Sequence, residues 1–390
     1  MRSKVAIIGA GFSGTMTAVH LLKNTSRPID IYLIDEHEMG RGLAYKSIDD
    51  SLILNVHADQ MGAFPEDRDH FYKWLKLKKI EVDPKSFLPR GLYGDYLVEI
   101  LHEAISNKSS NVDITLIHDT VLEIKELQKE IVFKKTESIS FNQIVLATGV
   151  QKNMSENVDN LEKYPITILG TGLSMIDVVV LLHKKKFREK IIVASRHGYF
   201  PCMHKEFSSD VERPSFEILH SQGLREILKI VRAKMKQYDW RLVIDALRPQ
   251  TQNIWKALSA KEKSQFLRYL KTIWDVHRHR VSQAHLDLLT TLQENGQLEL
   301  MKIGFRPYRP KTKNVLDCRG PSLKENDFIQ QLVKNKIVTP DRFNLGISSN
   351  FDWLHIVGPL NKGFLWETTA VAELRVAAKE LASEILIKSS

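Results

Sequence analysis

Cysteine is scarce in this sequence: 390 residues contain two, Cys202 and Cys318, far apart and outside any Cys-x-x-Cys pair. That excludes a disulfide scaffold and a vicinal dithiol redox centre, and it weighs against an enzyme built like thioredoxin reductase. Long apolar runs are also missing. Arg2 and Lys4 lead into Val5-Ala-Ile-Ile8, which glycines end at once, so neither a signal peptide nor a membrane span is expected, and a cytoplasmic protein is. No Ser-His-Asp order, Walker lysine loop or His-Glu-x-x-His helix is present, which removes support for hydrolase and kinase chemistry. The net charge is +9, yet the only dense basic runs, Lys184-Lys185-Lys186 and Lys76-Leu77-Lys78-Lys79, have no interleaved aromatics. Both read as solvated faces, and nucleic acid is not an expected partner.

What is present is ordinary globular composition, 43% hydrophobic and 26% charged, in a chain long enough for about two to three domains. Val5-Ala-Ile-Ile8 reads as a strand, Gly9 to Gly14 as a turn, Thr15 to Lys23 as a helix and Ile29 to Ile34 as a second strand. A second βαβ unit opens with Ile166-Thr-Ile-Leu169, turns through Gly170-Thr171-Gly172, continues helically to about His183 and returns as Ile191-Ile-Val-Ala194. Two such units predict two nucleotide sites.

The first turn, Gly9-Ala10-Gly11-Phe12-Ser13-Gly14, fits G-x-G-x-x-G. Its first glycine permits the tight turn, its second lets backbone approach a pyrophosphate, and its third lets helix and strand pack closely. Asp35 ends the second strand about where a carboxylate would accept from ribose hydroxyls, with Glu36 beside it as a further candidate. A glycine-rich turn next to a solvated acid is the bland alternative, and the combination favours dinucleotide binding. Gln143-Ile-Val-Leu-Ala147-Thr148-Gly149 is an apolar strand stopped by Ala-Thr-Gly; alone it could be any buried strand, but beside the first motif it favours FAD over NAD.

The second turn, Gly170-Thr171-Gly172-Leu173-Ser174, places serine at the third small position, and Ser195-Arg196, not an acid, follows the next strand. An arginine there could pair bidentately with a 2′-phosphate, which points to NADPH over NADH, or it could be an exposed loop cation. Helical spacing of Leu224, Ile227, Leu228 and Val231, and a capping-box pattern from Ser259 to Glu262, mark 216–299 as a helical insertion. Within it His277-Arg278-His279-Arg280 is either a solvated helix edge or a site for an anionic substrate or cofactor phosphate. Neighbouring positions on a helix point in different directions, so no metal site is expected. His204 and Glu206 are further candidates for substrate contact. Near the end, Gly358-Pro359-Leu360 and Gly363-Phe-Leu-Trp366-Glu367 lie in a loop between a strand at 353–357 and a terminal helix. Glycines there would let backbone amides approach a flat ring, although Trp366 reads equally well as a core residue.

These motifs come in an ordered series that also includes Gly40-Arg-Gly-Leu-Ala-Tyr45, Leu54-Asn55-Val56, Arg90-Gly-Leu-Tyr-Gly94-Asp-Tyr96, Ser195-Arg-His-Gly198, Trp274-Asp-Val-His-Arg-His-Arg280, Trp366-Glu-Thr-Thr-Ala370 and Glu373-Leu-Arg375. The series resembles a bacterial family of FAD/NAD(P)-binding proteins that includes FAD-dependent urate hydroxylase and asparagine or aspartate N-monooxygenases. It is more distantly similar to ornithine and lysine N-hydroxylases. The resemblance implies an α/β flavoprotein of two dinucleotide-binding, Rossmann-type units with a helical insertion. The FAD domain would comprise 1–163 and 300–390, the NAD(P)H-binding βαβ unit 164–215, and a cap 216–299. It implies Asn55 as a further cofactor contact. Where relatives would have Cys-Thr-Gly-Pro this chain has Cys318-Arg319-Gly320-Pro321, placing an arginine near the expected flavin contact.

The implied reaction is NADPH-dependent monooxygenation: hydride passes to FAD, the reduced flavin activates molecular oxygen, and one oxygen atom enters a small polar substrate, an amino acid or a purine-like molecule. No residue need act as a nucleophile, and none is assigned a catalytic role. Two other readings stay open: an NAD(P)H-dependent flavin oxidoreductase or oxidase that inserts no oxygen, and a non-catalytic nucleotide-binding scaffold or sensor.

Overall fold

The computed structural model describes residues 2–25, 27–47, 49–150, 158, 161–218, 222–320 and 322–388. The chain divides into two compact units, Met1–Gln151 with Pro321–Ser390, and Lys152–Gly320.

In chain order, the first unit opens with β1 (Ser3–Ile8), the helix Phe12–Asn24 and β2 (Ile29–Asp35). Helix Arg90–Ser106 leads to β3 (Val112–His118), then a meander of β4 (Val121–Lys125), β5 (Glu130–Phe133) and β6 (Ile139–Ser140), then β7 (Gln143–Leu146). The second unit carries β8 (Ile166–Leu169), helix Leu173–Lys184, β9 (Ile191–Ser195), a run of helices, β10 (Leu298–Lys302) and β11 (Asn314–Asp317). The chain then completes the first unit with helix Asp327–Lys334, β12 (Val338–Pro340), β13 (Ile347–Ser349), β14 (Leu354–Ile356) and helix Val371–Lys388.

The first unit's main sheet has the order β14-β7-β1-β2-β3, and every pair in it is parallel. A parallel sheet is covered on both faces, which is why β1 reads as a continuous apolar run instead of alternating. Within that run the two-residue period divides the side chains. Val5 and Ile7 join one core with Met16 and Leu21 of helix Phe12–Asn24 and Ala378 and Ile385 of helix Val371–Lys388. Ala6 and Ile8 join the other, with Ile131 and Phe133 of the meander and Ile329 and Leu332. The two cores therefore lie on opposite faces of β1, which ends where the glycine turn begins.

The second unit's sheet has the order β10-β9-β8-β11, again parallel throughout. This corrects the assignment of 300–390 wholly to the first domain, because β10 pairs with β9 and β11 with β8. The helical segment 216–299 clusters with this sheet rather than standing apart. The physical reason is that a strand of four or five residues carries no mark of the sheet it will join; long-range pairing decides. Inside the insertion the Ser259–Glu262 capping box forms, and Glu262 Oε1 also accepts from Leu224 N at 2.8 Å, tying two helix starts together. Among the described residues no helix is long and apolar enough to cross a membrane.

Candidate functional site

In the first unit, β1 delivers the chain into the glycine turn and the helix Phe12–Asn24 begins immediately after it. Gly9 N donates to Ile34 O at 2.8 Å and Ala147 N to Ile8 O at 2.8 Å, so the ends of β1, β2 and β7 are level with one another. Gly14 makes the packing possible: a Cβ there would stand 1.8 Å from the carbonyl oxygen of Gly9. The helix has Gly11 as its N-cap, no side-chain cap and no acid in its first turn. No acid of the helix itself therefore competes for its first amides and dipole, an arrangement that attracts a phosphate.

Asp35 is tied to this turn. Its Oδ2 accepts from Ala10 N at 2.7 Å and its Oδ1 from His37 N at 3.0 Å, leaving a lone pair on each oxygen for an outside donor. Glu36 is exposed and accepts from Thr120 Oγ1 at 3.1 Å. The loop after β14 closes on the other side. Gly358 has φ +81°, and a Cβ on it would lie 2.7 Å from Ser13 Oγ, so Gly358-Pro359 is pressed against the start of the helix. Farther along that loop Trp366, Glu367 and Thr368 are buried, and Lys362 Nζ lies 5.3 Å from the Trp366 ring centre. Asn55 is half-buried, just past the bridge from Ile53 to Pro89.

One contributor was not assigned a role from the sequence. The segment Gly40-Arg41-Gly42 lies across the turn: Gly40 N donates to Ala10 O at 2.9 Å, and a Cβ on Gly42 would be 2.6 Å from Gly11 Cα. Arg41 anchors that segment through Glu38 at 2.8 Å, Asp95 and the carbonyl of Gly91. The signal for it was two glycines one residue apart, which shows that backbone comes close but not to what.

In the second unit, β8 leads through Gly170 and Gly172 into helix Leu173–Lys184, again without a side-chain cap or an acid in the first turn. Gly172 and Ser174 are exposed here, whereas Ser13 and Gly14 are buried. Ser195 Oγ accepts from Gly198 N at 3.0 Å, and Arg196 follows. Arg319, which the resemblance put beside the flavin, lies in this unit. Its backbone amide is 3.1 Å from the position a Cβ on Gly170 would take, and its guanidinium grips Asp317 with bonds of 2.9 and 2.6 Å. Cys318 next to it is buried, and burial, with Asp317 and Asp177 nearby, pushes its thiol up to about 12.

The substrate candidates of the helical segment are drawn together by backbone bonds: Cys202 N to Val276 O at 2.8 Å, His204 N to Val281 O at 3.0 Å, and Val281 N to Cys202 O at 3.0 Å. Residues 202–204, with His204 among them, therefore run beside the segment that carries His277, Arg278 and His279. His277 is held by a bond from its Nδ1 to Ile273 O at 2.7 Å and by an edge contact with Trp240. Arg280 is a correction to the substrate set. It is 6% exposed, pairs with both oxygens of Asp245 at 2.7 and 3.0 Å, donates to the carbonyls of His277 and Arg241, and lies over Trp240. Its hydrogen bonds are spent inside the fold, so it braces the segment and has little left for a ligand.

Residues 6–151 match the model of an FAD-NAD(P)-binding family. No curated protein matches the chain. Among solved structures it is similar to an ornithine N-hydroxylase from Kutzneria sp. 744, with 12% identity over 100% of both chains and a TM-score of 0.57. It is similar to a FAD-bound cadaverine monooxygenase of desferrioxamine biosynthesis from Erwinia amylovora, with 13% identity over 99% of this chain and 94% of that one and a TM-score of 0.59. A bacillithiol disulfide reductase from Staphylococcus aureus matches with 12% identity over 100% of both chains and a TM-score of 0.51. At these identities the likeness is one of fold: an α/β, Rossmann-type flavoprotein architecture with parallel sheets.

Proposed function

We propose that the chain is an NADPH-dependent flavin monooxygenase that hydroxylates a small polar substrate, an amine, amino acid or purine-like molecule. The observation that carries this reading is the contrast between the two strand ends: Asp35 held by Ala10 N at the first glycine turn, and Ser195-Arg196 at the second. A carboxylate suits ribose hydroxyls, whereas an arginine suits a 2′-phosphate, so one chain offers two different nucleotide sites.

The residues of the first unit fit FAD. The amides from Gly11 to Gly14 would hold its diphosphate, Asp35 its ribose, and the segments Ala147-Thr148-Gly149 and Gly358-Pro359 would border it. FAD, when bound, supplies hydride acceptance and oxygen activation. The protein's own part is positional and electrostatic. Gly14 sets the helix N-terminus against the diphosphate, and the buried Trp366, Glu367 and Thr368 keep water from the loop that borders the cofactor. Gly170, Gly172, Leu173 and Ser174 would receive the diphosphate of NADPH, with Ser195 and Arg196 at its adenosine end. His204, Glu206, His277, Arg278 and His279 are the candidates for orienting the substrate. The likeness to N-hydroxylases favours an amine-bearing substrate over urate.

The test is an anaerobic visible-absorption titration of the FAD-loaded protein with NADPH and then NADH, followed by product analysis under oxygen. Bleaching of the flavin band at lower NADPH than NADH concentration, with hydroxylated product from an amine or amino acid, supports the proposal. Failure to hold FAD, or to bleach with either nucleotide, overturns it. A second reading, a flavin oxidoreductase without oxygen insertion, is favoured by the likeness to the bacillithiol disulfide reductase; peroxide formed in step with NADPH oxidation, without product, would select it.

A further inference from the structure

Charge is divided unevenly between the two units. Lys152–Gly320 carries 30 lysines and arginines against 18 aspartates and glutamates, a net +12, whereas the rest of the chain carries 26 against 29, a net −3. Part of that excess is set in a row by one helix. In Leu224–Met235 the buried Leu224, Ile227 and Val231 share a face. Arg225, Lys229, Arg232 and the C-cap residue Lys236 follow one another at steps of four, three and four residues, and all four are exposed. At about 100° and 1.5 Å per residue they fall within an arc of about 60° opposite the buried face and extend over about 16 Å. Their side chains have no ion pair or hydrogen bond among the described residues. The helix's one carboxylate, Glu226, stands about a quarter-turn off the arc. Glu262 Oε1, accepting from Leu224 N at 2.8 Å, brings the exposed Lys261 to the start of the same helix. Spaced in this way the cations make no dense run in the sequence; only the helix turns them into a row.

Such a row works against the helix that bears it. Like charges three and four residues apart repel, and Arg225 stands in the first turn, where the helix dipole disfavours a cation. No carboxylate among the described residues offsets either cost, so a negative counterpart has to come from outside the chain. Its chemistry follows from what the arc lacks. Protein interfaces are centred on aromatic and apolar anchors and are depleted in lysine, and nucleic-acid surfaces add rings or amides that reach the bases. The helix has no aromatic residue, and its buried leucine, isoleucine and valine belong to the core. A diffuse anionic surface asks for the charges alone. We propose that the row Arg225, Lys229, Arg232 and Lys236 docks the protein flat on an anionic lipid bilayer, against headgroup phosphates and without insertion. The attachment is electrostatic and reversible, and it is independent of which cofactors the chain binds.

The experiment is co-sedimentation of the full-length protein with vesicles of phosphatidylcholine alone and of phosphatidylcholine with about one-third phosphatidylglycerol. At about 0.1 M salt the wild-type protein should bind the anionic vesicles at least about tenfold more strongly than the neutral ones, and about 0.5 M salt should remove the difference. With each cation worth about fivefold, Lys229→Gln with Arg232→Gln should weaken anionic binding about twenty-fivefold. That variant should melt no lower than the wild type, since it relieves like-charge repulsion on an exposed face. Lys229→Arg with Arg232→Lys keeps the row and should bind as the wild type does. Lys184→Gln with Lys185→Gln removes the same charge from a different helix and should change binding by less than about twofold. Equal affinity of the wild type for both kinds of vesicle overturns the proposal. So does equal loss in the two glutamine pairs, which makes net charge alone responsible. Tighter retention on duplex DNA than on anionic vesicles, lost in the Lys229→Gln, Arg232→Gln protein, overturns it in favour of a nucleic acid.

Discussion

Alanine at position 14 puts the close approach of helix and strand to a direct test. The added Cβ would start 1.8 Å from Gly9 O and 3.2 Å from Ala147 Cβ, whereas real Cβ atoms stay beyond 3.0 Å, so something must move by more than 1 Å. The neighbour is backbone at the end of β1 and cannot rotate away. The helix would have to retreat, yet every residue from Phe12 to Leu22 is buried, and Met16 and Leu21 are fully enclosed. Overpacking of this kind costs about 1–3 kcal/mol, and with a rigid neighbour the upper end applies. At about 2–4 °C per kcal/mol for a unit of this size, Gly14→Ala should melt about 6–12 °C below the wild type. Gly172→Ala is the control: a Cβ there meets nothing within 4 Å, so its stability should stay within about 0.5 kcal/mol of the wild type while NADPH binding falls. Differential scanning calorimetry of each protein alone, with FAD and with NADPH measures both effects. A Gly14→Ala protein that melts within 2 °C of the wild type and retains FAD would refute the reasoning.

Asp35→Asn keeps an acceptor for Ala10 N but removes the charge, and FAD should bind about ten- to a hundredfold more weakly in a flavin-fluorescence titration; an unchanged Kd removes Asp35 from the site. Burial lowers His20 from its usual 6.5 to about 4, with Glu66 opposing this and Lys379 and Lys23 adding to it. The unfolded chain therefore takes up this proton first as the pH falls. The stability is whole above 6.5, declines between 6.5 and about 4, and levels below, by about 3 kcal/mol in all. His20→Leu should lose that share of the decline in urea unfolding at pH 7 and pH 4, and equal slopes in the two proteins would argue against a neutral buried imidazole. With its thiol near 12, Cys318 should stay unlabelled by a disulfide reagent at pH 8 until the protein is unfolded, and labelling within minutes in the native state would contradict its burial.

Both glycine turns and their strand ends were legible in the sequence because the signals are local. A tight turn, a helix start and an acid or arginine one strand later all lie within about 30 residues, and each has a residue type that its backbone or charge demands. The capping box at Ser259 and Glu262 was readable for the same reason. Domain membership was not. Leu298–Lys302 and Asn314–Asp317 are short strands of mixed polarity, and their pairing with β9 and β8 is a contact over more than a hundred residues that composition cannot announce. Arg280 misled as a ligand candidate because a buried arginine and an exposed one look alike until the partner, Asp245 on another helix, is known.

The sequence alone therefore determined where the chain turns, which backbone positions must be bare of a side chain, and which charge stands at each strand end, since local sterics and hydrogen bonding dictate these. Only the tertiary structure decided what those positions meet. It set Gly358 against Ser13 and Gly42 against Gly11, Arg319 beside the second turn, and Phe305 against His197. Those meetings depend on which strands pair and which loops are thereby carried to the same edge, a choice made by burying both faces of two parallel sheets at once.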